Sequence, residues 1–133
     1  VIDAPPRIAE MTRAILILSH LALIPLGASA AEIWAMSDLL QTVDEARKVK
    51  PSLDVRIVWT RYRGHTKAAQ ELSEEVRKSI PLPAIKAHIG YRVAYPDVLA
   101  RGLSVMEWHD LAAKDEMESL MSEVQRTMAR RKA

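Results

Sequence analysis

Apolar positions in this 133-residue chain switch repeatedly between helical and strand spacing. Val1-Ile2 reads as the end of a strand, and over residues 8–18 Met11, Ala14, Ile15 and Leu18 fall on one helix face. LALIPL at 21–26 is an unbroken apolar run of strand length, the pattern of a parallel strand covered on both faces. Ser29-x-x-Glu32 has the capping-box spacing and opens a helix carrying Met36, Leu40 and Val43, which Pro51 stops. Residues 54–60 alternate Val55, Ile57 and Trp59 against Arg56, Val58 and Thr60, a strand pattern. Thr66 is a good N-cap for a third helix marked by Ala69, Leu72, Val76 and Ile80, which Pro81 and Pro83 end. Residues 84–89 read as a strand, and 96–101 as a short helix beginning at Pro96 and closed by Gly102. A last helix over 108–131 places Leu111, Met117, Met121, Val124 and Met128 on one stripe, with acids early and bases late. Strand and helix in this rhythm predict an α/β fold with parallel βαβ crossovers, in a single domain spanning 1–133.

Composition narrows the class. Apolar residues make up 49% and charged residues 27%, which excludes collagen-like, mucin-like and mostly disordered chains. The absence of cysteine excludes a disulfide framework, a thiolate nucleophile and a cysteine-bound zinc. Net charge is only +2, but residues 47–92 hold eleven basic and four acidic side chains, and Arg126, Arg130, Arg131 and Lys132 cluster in the tail. Such clustering favours phosphate-bearing partners. The uncharged stretch 14–31 mimics a secretory signal or a short membrane span, yet Ser19-His20 and Pro25-Leu26-Gly27 interrupt it. Helix followed by buried strand explains the same residues, so no membrane insertion is expected.

Ligands of parallel sheets collect at the carboxyl ends of strands. Asp3, after Val1-Ile2, stands where P-loop nucleotidases place the carboxylate that reaches magnesium through water. Thr60-Arg61, after the alternating strand, offers a hydroxyl and a guanidinium to a base or ribose. His20, His65, His88 and His109 have neither metal-ligand spacing nor a triad pattern, and no Gly-Lys-Ser/Thr phosphate loop occurs in the chain.

VIDAPP, LALIPLGAS, IVWTRYR and IGYRVAYPDVLARGLSVMEW follow one another in an order that resembles the ParA/MinD group of deviant Walker ATPases, especially the small plasmid-partition ParA type. The resemblance covers essentially the whole chain. It implies the C-terminal part of a P-loop NTPase-like fold whose N-terminal part precedes Val1, in keeping with a start that lacks methionine. Asp3 would be the catalytic, magnesium-linked aspartate, and Thr60 and Arg61 would touch the adenine side of the nucleotide. Lys86, Arg92, Arg101, Arg126, Arg130 and Arg131 would meet DNA phosphates. His20 departs from the family, where an aspartate is common before this strand. The family implies ATP and magnesium as cofactors of the parent protein, an ATP-driven homodimer binding DNA nonspecifically, and a centromere-binding partner that stimulates hydrolysis. It also implies a cytoplasmic, nucleoid-associated location. Without the phosphate loop, the chain alone is expected neither to bind ATP tightly nor to hydrolyse it. A MinD-like relative working at the membrane and a non-enzymatic adaptor are the alternatives.

Overall fold

A computed structural model describes residues 1–5 and 9–130. Its elements are α1 (Ala9–Leu18), β1 (Leu21–Gly27), α2 (Ala30–Trp34), α3 (Met36–Val49), β2 (Asp54–Tyr62), α4 (Lys67–Ser79), β3 (Ala84–Gly90), α5 (Ala94–Ala100), a 3-10 turn (Val105–Glu107) and α6 (Leu111–Arg130). The three strands form one parallel sheet in the order β1-β2-β3. This is the α/β fold with βαβ connections that the alternating pattern predicts.

Pairing of Ala22 with Val55, Ile24 with Ile57 and Leu26 with Trp59 puts the apolar sides of β1 and β2 on one face. Leu16 of α1, Met36, Val43 and Ala46 of α3 and Val76 of α4 complete that core. A smaller core joins Ala94, Val98, Val105 and Ala113, with Tyr95, Trp108 and Met117 against them.

Several expectations change. Val1-Ile2 joins no strand and lies exposed, because no described strand stands beside it to form a ladder. β1 is covered on one face only: Leu23 and Pro25 remain exposed, since α1 and α3 pack on the side of Ile24 and Leu26. Val58 is buried although the alternation assigned it outward, because the central strand is covered on both faces. The helix opened by Ser29 breaks at Ala35, so that α2 gives the core only the half-buried Ile33 while α3 carries the core face. Helix α5 starts two residues before Pro96, which sits within its first turn, where a missing N–H costs nothing. Gly102, at φ +66°, follows it in the left-handed region glycine favours. Helix α6 starts at Leu111 rather than Trp108, with the Asp110 carboxylate accepting from the Ala113 N–H at 3.0 Å.

On α6 the packed stripe is also different. Ala113 and Thr127 are buried and Met117 and Val124 half-buried, whereas Leu111 and Met121 are exposed. The cause is the way this helix meets β3. Both oxygens of Glu123 accept backbone N–H groups, from Lys86 and Ala87, each at 2.9 Å, and Glu116 accepts the Gly90 N–H at 3.0 Å. Seven residues of helix advance about 10.5 Å, which matches the spacing of these amides along a strand rising about 3.3 Å per residue. The β2–β3 ladder shifts register between Trp59 and its neighbours, and that irregularity lets two consecutive amides face the same helix.

Candidate functional site

Two places gather functional chemistry: the carboxyl end of the sheet and a groove beside α6. At the carboxyl end, Gly27 and Thr60 are paired in the ladder and Arg61 follows immediately. Arg61 has φ +49°, the one non-glycine residue in the left-handed region among the described residues. Its guanidinium pairs with the Glu32 carboxylate, whose other oxygen accepts the Gly27 N–H at 2.6 Å. Ser29 caps α2 through the Glu32 N–H at 3.2 Å, but only half of the capping box forms, because Glu32 turns to Gly27 and Arg61 instead of to Ser29. The structure therefore brings Thr60 and Arg61 together and adds Glu32 to them. Beside this end, the Arg63 guanidinium lies 4.2 Å over the exposed Tyr91 ring, and Tyr62 meets the His88 ring at 4.8 Å.

Asp3 is exposed, in the segment before α1. Among the described residues no three His, Asp or Glu side chains gather as a metal site. A single exposed carboxylate does not fit a magnesium–triphosphate centre by itself, and the phosphate-loop residues that would complete one are not in this sequence.

The groove beside α6 has a volume of about 840 Å³ and runs between that helix and the amino-terminal ends of β2 and β3. Lys86, Arg126 and Arg130 line it together, joined by Arg56, which sequence reasoning missed. Asp54 holds Arg56 at 3.1 Å, Glu123 lies among the cations, and Asp115 and Glu118 line the same groove. Burial alone would raise the Glu123 carboxyl; the N–H groups of Lys86 and Ala87 and the charges of Arg126 and Lys86 override it and hold the group below its ordinary range.

Arg92 and Arg101 are placed elsewhere. Arg92 donates to Glu116 Oε1 through Nε at 3.0 Å, with Nη2 ion-paired to the same oxygen at 2.9 Å, and Arg101 lies 5.1 Å over the Trp108 ring. Arg131 lies outside the described residues. Glu116 is a hub that also accepts from the Tyr95 hydroxyl at 2.9 Å. Burial by itself would raise its carboxyl, but Arg92, the Gly90 N–H and Tyr95 together lower it; burial and then Glu116 push the Tyr95 hydroxyl up.

No protein-family profile matches the chain. A protein of Halothiobacillus neapolitanus described as "Maintenance of carboxysome distribution protein A" is 23% identical over 127 residues, which cover 93% of this chain and 58% of that protein. The chain thus spans under two thirds of this relative. At that identity the likeness supports the ParA/MinD group of positioning ATPases at most, and nothing finer. No helix among the described residues is long and apolar enough to cross a membrane.

Proposed function

We propose that this chain is part of a ParA-like positioning ATPase, which uses ATP-dependent dimerisation and nonspecific DNA binding to distribute a cargo. Plasmid or chromosome partition is the cargo system that the sequence resemblance suggests, and the relative's name points to carboxysomes as another of the same kind. In this reading ATP and magnesium are held by the larger protein, with Asp3 serving the magnesium-bound water and Thr60 and Arg61 the base side of the nucleotide. A partner protein stimulates hydrolysis and resets the cycle.

The observation that carries the DNA part is the convergence of Lys86, Arg126 and Arg130, from strand and helix, in one groove. Three cations from two parts of the sequence, one on β3 and two on α6, suit a phosphate backbone, whose neutralisation releases counterions and needs no base reading. Arg92 and Arg101 are secondary in this account because one is engaged by Glu116 and the other by Trp108. Reversing Arg126 and Arg130 to glutamate should weaken binding of a labelled nonspecific duplex by about tenfold or more at low salt, read by fluorescence anisotropy. Unchanged affinity would remove the DNA role from this groove.

A further inference from the structure

We propose that Gly27 and Arg61 form a binding site for a phosphate group at the carboxyl ends of β1 and β2, and that Glu32 fills this site as an internal stand-in until phosphate displaces it. The two donors converge from different strands: the Gly27 N–H reaches one Glu32 oxygen at 2.6 Å, and Arg61 Nη2 takes the other. Two donors meeting two oxygens of one anion is the arrangement by which a guanidinium and an amide hold phosphate.

The backbone is built to permit this approach. A Cβ at Gly27 would stand 2.7–2.8 Å from both Glu32 oxygens and from Arg61 Nη2, so any side chain there would fill the cradle. Arg61 reaches it from φ +49°, an unfavourable conformation for an L-residue with a long side chain. The site also opens to solvent, with the side chain of Glu32 33% exposed and that of Arg61 61%. Glu32 is half-buried and is not part of the core, so its side chain can withdraw while Ile33 keeps α2 packed there. A carboxylate in this place blocks the end of the sheet where ligands of parallel folds collect.

The site does not rest on the base-side reading of Arg61, because a guanidinium that holds phosphate here is not free to face a base. Its test uses the chain itself, with inorganic phosphate as the probe at constant ionic strength and the Gly27 amide resonance as the readout. Glu32→Gln should tighten phosphate binding by about fivefold, the scale of one partly exposed ion pair. Arg61→Ala and Gly27→Ala should abolish the response. In the unaltered chain, phosphate should move the Gly27 amide and the Glu32 carboxyl carbon together, a result that needs no variant to fold. A Gly27 amide unmoved by phosphate, or a Glu32→Gln chain that binds no more tightly, would make the pair purely structural and overturn the proposal. An equal response to acetate would overturn phosphate as the ligand. Adenosine, which has no phosphate, separates the two readings: a response to phosphate and none to adenosine leaves the site standing and overturns the base-side role of Arg61.

Discussion

Glu116 does more than any other single side chain to tie the smaller core to the sheet. Gly90 at the end of β3, Arg92 after it and Tyr95 on α5 all donate to this one carboxylate, which is only 15% exposed. Replacing it by glutamine keeps the shape but removes the charge, and should cost about 1–2 kcal/mol at pH 7. The sign with pH follows from its lowered folded value. The contribution is fully present above the unfolded value of 4.5 and fades as pH falls through the lower folded one. Melting curves of the two proteins should therefore differ at pH 7 and draw together as pH falls below 4.5 and through the lower folded value; parallel curves would show that Glu116 is not ionised in its pocket. None of this was legible in the sequence. Arg92 stood out as a cation while its partner lay 24 residues away on a helix whose acids were noted only as coming early and its bases late. Glu32 was noticed, but through a local rule that assigned it to the N–H of Ser29, and only the fold shows Arg61 waiting 29 residues on.

At the scale of elements, hydrophobic period identified every strand of the sheet and nearly every helix, because those segments bury side chains in proportion to their pattern. It failed where polar atoms decide the packing. The predicted methionine stripe on α6 would face a flat apolar surface, but this helix meets a strand edge, and Glu116 and Glu123 supply the acceptors that edge lacks. Carboxylates spaced two turns apart on the face of Ala113 and Thr127 were the available signal. They also shield β3 from pairing with other chains, as inward-aimed charges on edge strands do. Hydrogen exchange tests this directly. In a Glu123→Ala variant the Lys86 and Ala87 amides should exchange about tenfold faster or more than in the parent chain, while amides of β2 keep their protection. Equal protection of Lys86 and Ala87 in both proteins would mean that the helix does not cap the edge.

For the whole molecule, the two ends of one sheet carry different chemistry. Thr60, Arg61 and Glu32 stand at the carboxyl ends of the strands, and Lys86, Arg126 and Arg130 at the side where β2 and β3 begin. Charge counting flagged the basic middle and tail but could not say which cations meet, because Lys86 and Arg126 are joined only by the docking of α6 on β3. That separation suits the proposed ATPase, in which a surface for DNA and a site for nucleotide would act on one scaffold without competing for it. Because the cations of the groove converge within one chain and need no nucleotide to do so, the direct test of this account is the salt dependence of nonspecific duplex binding by the unaltered chain. With three cations each neutralising one phosphate, the logarithm of affinity should fall with the logarithm of salt concentration at a slope of about −3. No measurable binding at low salt, or binding that salt does not weaken, would contradict it.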